Sequence, residues 1–251
     1  MLSQGHIVLI HAFPLDASLW RPQVERAPAA WQPFTPDLPG FGASSLAPAR
    51  TMEEMARGVL NALDEQGITR AVIGGMSMGG YVTFALYRLA PERFSGMILA
   101  DTRATADNEQ QREGRRRMIG TVMEKGPRAI ADDMLPKLLG DTSQRLRPEL
   151  SSRVRDMIER NSGDAIAGAL EAMMSRPDSR SLLSGISVPT LVLCGDEDTL
   201  TPLSDSEALH ASIRGSRLAV VRGAGHLSSI EDPNQFSSFL NAFLGELPAS
   251  P

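Results

Sequence analysis

What most constrains this chain is a rhythm of short apolar runs. "HIVLI" (6–10), "AVIGG" (71–75) and "GMILAD" (96–101) each end in glycine, small or acidic residues, and each is followed by a helical pattern. Runs of this length are too short for a helix, and without polar alternation they ask for cover on both faces. Parallel strands joined by crossover helices provide that cover, so the rhythm predicts βαβ units around a parallel sheet. A less apolar run, "QPFTPDLPG" (32–40), reads as a further strand despite its prolines. Met52, Met55, Val59, Leu60 and Leu63 fall on one helical face, as a helix lying on a sheet requires. Thr51 is placed to cap that helix, with Glu54 completing a capping box.

From about 103 to 185 the rhythm stops. No strand-like run occurs there, and amphipathic patterns such as Ile166, Leu170, Met173 and Met174 predict an inserted helical layer. Strand patterns resume with "TLVLCGD" and "RLAVVRG", and the chain closes on a helix capped by Asp232, begun by Pro233 and faced by Phe236, Phe239, Leu240 and Phe243. The expected organisation is a core of residues 1–102 and 186–251 with a helical lid of residues 103–185. A chain of 251 residues with 42% hydrophobic content can bury such a core.

Charge and cysteine usage narrow the function. A net charge of −5 offers no basic surface for nucleic acid. The apolar runs are far shorter than a membrane span, and the start lacks a basic region and cleavage site, so the expectation is a soluble, cytoplasmic protein, monomeric or a small homo-oligomer. The single cysteine, Cys194, cannot form an internal disulfide and reads as a buried strand residue.

The segment "GMSMG" (75–79) has the form G-x-S-x-G at a strand-to-helix junction. A serine presented on so sharp a turn needs near-bare neighbours two residues away on each side, which Gly75 and Gly79 supply. A serine hydroxyl near neutral pH needs a base, usually histidine, held by a carboxylate. Of four histidines, His6 opens the first strand, His210 lies in a helical stretch, and His11 ends the first strand as a loop-shaping residue. His226 follows the last strand in "RGAGHLSSIEDP", at the sheet edge that carries Ser77, and is the best base. For the acid, "CGDEDTLTP" offers Asp196, Glu197 and Asp198. Asp198 lies far enough from the strand end to reach an imidazole while Asp196 braces the turn, and Asp101 competes from the end of "GMILAD". Two backbone N–H groups would receive a developing oxyanion: that of Met78, beside the serine, and that of Phe13, in the loop after the first strand, where Pro14 stiffens the chain.

These residues resemble the α/β-hydrolase superfamily: "HAFPLDASLW", "DLPGFGAS", "GGMSMGG", "GDEDTLTP" and "GAGHLSSIEDP" follow the family's order from residue 6 to the C-terminus. Within it the chain looks most like small bacterial carboxylesterases and lactonases, including 3-oxoadipate enol-lactonase-like proteins. The resemblance implies Ser77, Asp198 and His226 as nucleophile, acid and base, with small-molecule esters or lactones as substrates and no metal or organic cofactor. It also implies an α/β-hydrolase fold, here reduced to a mostly or wholly parallel sheet of about six strands with a lid after the fourth. The chain departs from the family at Ala12, where glycine is usual, which bears on pocket size, and it lacks the initial hairpin of many relatives. A carbon–carbon hydrolase or lyase could use the same three residues, although the menaquinone-pathway lyases usually carry arginine where this chain has Tyr81. A slow-turnover receptor of this fold is a further alternative. Within the lid, Met118, Met123, Met134, Met157, Met173 and Met174 are candidates for an adaptable apolar lining, and Arg103 is the first candidate for holding a substrate carboxylate.

Overall fold

The computed structural model describes residues 5–248; residues 1–4 and 249–251, the outer ends of the expected core, lie outside the described residues. Six strands appear in chain order: β1 (Gly5–Ile10), β2 (Trp31–Phe34), β3 (Ala71–Met76), β4 (Phe94–Ala100), β5 (Thr190–Gly195) and β6 (Arg217–Val221). They form one sheet in the order β2-β1-β3-β4-β5-β6, and every pairing is parallel. β3 and β5 are buried at every residue, so both faces of the sheet are covered there. Pro33 lies on β2, an edge strand, where a missing N–H breaks no ladder on the open side.

Helices connect and flank these strands. α1 (Arg21–Glu25) precedes β2, α2 (Met52–Glu65) joins β2 to β3, and α3 (Met78–Leu89) joins β3 to β4. The Thr51–Glu54 capping box starts α2, with both of its hydrogen bonds made. Between β4 and β5 come α4 (Glu109–Lys125), α5 (Pro127–Leu138), α6 (Asp141–Leu146), α7 (Glu149–Glu159), α8 (Gly163–Ser175) and α9 (Arg180–Leu183). α10 (Leu203–Ser212) joins β5 to β6, and α11 (Ser228–Glu231) and α12 (Pro233–Leu244) close the described chain. Asp232 caps α12 by accepting the Asn234 and Gln235 N–H groups. Within the insertion α4 packs on α8 and α5 on α7, while Ile130, Leu138, Val154 and Ile166 join the same buried apolar cluster as the strands.

Register decides where the chemistry can sit. Ile10 pairs with Gly75, Met76 with Ala100, Ala100 with Leu193 and Gly195 with Val221, so the loops leaving β1, β3, β4, β5 and β6 all emerge at one edge. The chain reverses its direction of travel across the sheet between β1 and β3, which opens a crevice at their carboxyl ends.

Candidate active site

At the end of β3 the chain turns through Ser77, whose φ of 54° and ψ of −112° lie in a region L-residues rarely occupy. The neighbours hold it there. The Ser77 N–H donates to Ala100 O (2.8 Å), and Ser77 O accepts from the Gly80 N–H (2.9 Å) and the Thr102 hydroxyl (2.8 Å). A Cβ on Gly79 would lie 2.2 Å from Ile10 O, and one on Gly75 would lie 2.4 Å from Gly79 C. The glycines are therefore required by backbone closing on backbone.

Ser77, His226 and Asp198 form one hydrogen-bonded chain, with Ser77 Oγ 2.7 Å from His226 Nε2 and His226 Nδ1 2.8 Å from Asp198 Oδ2. His226 and Asp198 are buried, and Ser77 is partly exposed toward a cavity. Asp198 Oδ1 accepts the Leu200 N–H (2.8 Å) and Thr201 N–H (3.0 Å), while Thr201 Oγ1 donates to Oδ2. Burial alone would raise the Asp198 pKa. The charge and hydrogen bond of His226, with the Thr201 bonds, outweigh it and lower the pKa below the ordinary value. The orientation is that of a carboxylate fixing an imidazole whose other nitrogen faces a hydroxyl.

The other carboxyls and histidines of the sequence reading have distinct places. Asp196 braces the turn after β6 by accepting the Gly223 N–H (2.7 Å). Asp101, with φ 43°, accepts the Gly195 N–H (2.8 Å) and the Ser228 hydroxyl behind the site. Burial, with the charge of Asp198, pushes its pKa well above the ordinary value, so the carboxyl favours its neutral form. His11 accepts the Leu38 N–H on Nε2 (3.0 Å), joining the loop after β1 to the turn after β2, and burial lowers its pKa. His210 bonds Ser216 away from the site.

Phe13 lines the cavity with Ser77, and the Phe13–Pro14 peptide is cis. Met78 is the first residue of α3, where an N–H has no intrahelical acceptor. Ala12 is fully buried, so its methyl lies in the core.

The cavity holds about 500 Å³ between the sheet edge and the insertion. Met118, Met134 and Met173 line it. Met157 is instead buried in the core, and Met123 is 61% exposed. Arg103 is on the wall, but its guanidinium is taken up by Asp205 (3.3 Å) and Leu200 O. A second cationic group is better placed. Asp107 carries both Arg115 (2.5 Å) and Arg176 (2.7 Å), and Arg176 lies 4.1 Å over the Tyr81 ring. Burial would raise the Asp107 pKa, but its Arg115 hydrogen bond and the two guanidinium charges outweigh it, and the pKa is lowered.

Sequence reasoning missed Thr201, which bonds Asp198, and Thr102, which bonds the Ser77 carbonyl. It also missed the Asp107 pairing and the buried Glu231. Position just beyond strand ends is the one signal that could have flagged the two threonines.

The α/β-hydrolase fold model matches residues 5–233. This chain belongs to that family. A thermophilic esterase from Thermogutta terrifontis, solved with malate bound, is similar at 37% identity and TM-score 0.94, covering 97% of this chain and 90% of that one. The enol-lactonase from Burkholderia xenovorans is similar at 28% identity and TM-score 0.89, over 97% and 92%. In sequence, 3-oxoadipate enol-lactonase 1 of Acinetobacter baylyi is 26% identical over 238 residues, 95% of this chain and 88% of that protein. The family, the parallel six-stranded sheet and the likeness to esterases and lactonases agree with the sequence reading. Among the described residues no helix is long and apolar enough to cross a membrane.

Proposed function

We propose that this α/β-hydrolase cleaves carboxylic esters or lactones through an acyl-enzyme on Ser77. The observation that carries the reading is the continuous Ser77–His226–Asp198 chain opening on the cavity. His226 Nε2 takes the Ser77 proton as Oγ attacks the carbonyl, and the same proton then passes to the leaving alcohol. Water, deprotonated by His226, next releases the acid. Asp198 keeps Nδ1 protonated and balances the imidazolium. The N–H groups of Phe13 and Met78 receive the oxyanion, and loss of one such donor costs about 10²- to 10³-fold in rate. The helices between β4 and β5 act as the lid, and residues 103–185 are its extent.

The cavity wall also favours a substrate with an anionic group. Five of its side chains are cationic (Arg103, Arg115, Arg117, Lys137, Arg176) and two are acidic (Asp107, Asp133). Lys137 is matched by Asp133, Arg103 by Asp205 and Arg117 by Glu113, which leaves two arginines on Asp107 as the local surplus. A carboxylate on the acyl or alcohol part would meet that surplus, with Arg115 and Arg176 contributing more than Arg103. The malate held by the Thermogutta esterase is consistent with this choice.

A p-nitrophenyl ester series from acetate to octanoate, with neutral and carboxylate-bearing acyl groups of matched length and a small lactone panel, tests both statements. Multiple turnover lost by about 10⁶ in Ser77→Ala is expected. A single burst without turnover would overturn the hydrolase reading, and equal rates on charged and neutral partners would overturn only the anionic preference.

A further inference from the structure

Glu231 lies five residues after His226, is fully buried, and takes no part in the hydrogen-bonded chain above. Each of its carboxyl oxygens has one backbone donor. Oε1 accepts the N–H of Leu227, the residue after His226 (3.0 Å), and Oε2 accepts the N–H of Gly140 (2.8 Å), in the turn between α5 and α6 of the insertion. One side chain therefore spans from the histidine's loop to the helical insertion.

A second carboxyl grips the same turn. Glu197, beside Asp198, accepts both the N–H (2.8 Å) and the hydroxyl (2.5 Å) of Thr142. Between the two grips the backbones touch: a Cβ on Gly225 would lie 2.2 Å from Gly140 N, and one on Gly140 would lie 2.7 Å from Gly225 N. Gly225 immediately precedes His226. Residues 139–142 of the insertion are thus seated on the two loops that carry the base and its acid.

We propose that Glu231 is a positioning residue that couples the seating of the insertion to the placement of His226. The coupling follows from hydrogen-bond satisfaction in a buried site. If the 139–142 turn lifts, Oε2 loses its donor, and a buried carboxyl oxygen without a partner is costly. The carboxyl then turns toward the vacated space, and the Leu227 peptide that orients the imidazole loses its anchor. With the turn seated, both oxygens are satisfied and the Leu227 peptide is fixed. The proposal rests on His226 being the base of the reaction proposed above, while the exchange measurement below does not.

Amide hydrogen exchange at Gly140 and Leu227, read against β3 amides as a control for global unfolding, tests the coupling. Thr142→Ala alters only the insertion's side of the contact. It is expected to speed exchange at Gly140 and Leu227 together by about tenfold, the range for losing a hydrogen bond to a carboxylate. Glu231→Gln keeps the size but offers one acceptor in place of two. It should speed exchange at whichever of the two amides is left facing the NH₂ and lower kcat on p-nitrophenyl butyrate by about tenfold or more, with a much smaller change in KM. Faster exchange at Gly140 with Leu227 unchanged in Thr142→Ala would overturn the coupling. Parental kcat in Glu231→Gln despite faster exchange at one of these amides would overturn the positioning role. If Glu231→Gln does not fold, Thr142→Ala alone decides the coupling. If the parent turns over no ester, the hydrolase reading falls while the exchange result still decides whether the insertion and the histidine loop move together.

Discussion

Replacing Asp198 by asparagine changes one atom, and the structure dictates which way that atom must face. Oδ1 is held by two backbone donors, the N–H groups of Leu200 and Thr201, and an amide nitrogen cannot accept from either. The asparagine oxygen therefore occupies the Oδ1 position and its NH₂ takes the place of Oδ2, against Thr201 Oγ1 and His226 Nδ1. Thr201 can rotate its hydroxyl to accept. The imidazole must answer a donor at Nδ1 by carrying its proton on Nε2, which then points a donor at Ser77 Oγ across the 2.7 Å contact. A base already protonated on the reacting nitrogen cannot take the serine proton. In triads generally this tautomer error costs about 10⁴ in kcat, or about 5 kcal/mol of transition-state stabilisation at about 1.4 kcal/mol per decade. Because every hydrogen-bond position stays filled, the fold should survive with little change in Tm. The assay is kcat on p-nitrophenyl butyrate from pH 6 to 9, with Tm measured on the same samples. Activity within tenfold of the parent, at unchanged Tm, would refute the assignment of Asp198 as the orienting acid.

Further outcomes follow from neighbouring residues. Asp101→Asn mimics the neutral acid that burial and the Asp198 charge favour, so it should retain most activity and be at least as stable as the parent at pH 8. Asp101→Ala should lose about 1–3 kcal/mol, because the Gly195 N–H and Ser228 hydroxyl are left without a partner. The sign is fixed by linkage: with its folded pKa raised, the Asp101 contribution is fully present below the unfolded value and is lost as pH rises through the folded one. Urea unfolding across pH should accordingly show a smaller loss of stability for Asp101→Asn than for the parent as pH rises above the ordinary carboxylate value. Cys194 is buried and its thiol pKa is pushed up to about 12, so iodoacetamide at pH 8 should leave the native protein unmodified and label it only in denaturant; labelling of the folded protein would contradict that burial. Gly79→Ala drives a methyl into the Ile10 and His11 carbonyls, 2.2 and 2.9 Å away. It should cost about 1–3 kcal/mol or more and displace the elbow. Gly120→Ala, in α4 with open space around it, should instead stabilise the protein by about 0.5–1 kcal/mol, both read by denaturant titration.

Local chemistry was enough to determine much of this protein. The inner strands announced themselves because covered parallel strands must be apolar throughout, and the helix starts at Thr51 and Asp232 because a cap needs its acceptor at a fixed short spacing. The turn at Ser77 was legible because backbone approach at Gly75 and Gly79 tolerates no other residue. The order of the serine, acid and histidine segments, each beyond a strand end, then pointed to one sheet edge. Tertiary structure alone decided what depends on contacts between distant segments. Arg103 is neutralised by Asp205, more than a hundred residues later, while Arg115 and Arg176 share Asp107; no local pattern records which cation finds which carboxylate. Met157 turned into the core and Met118 toward the cavity although both lie on helices of the same insertion, because packing between helices, and not periodicity alone, sets which face is covered. Nothing local in the sequence singles out Glu231. Only the fold brings Gly140 to it from 91 residues away and makes it a buried bridge, since a charge can be buried only where distant donors converge on it.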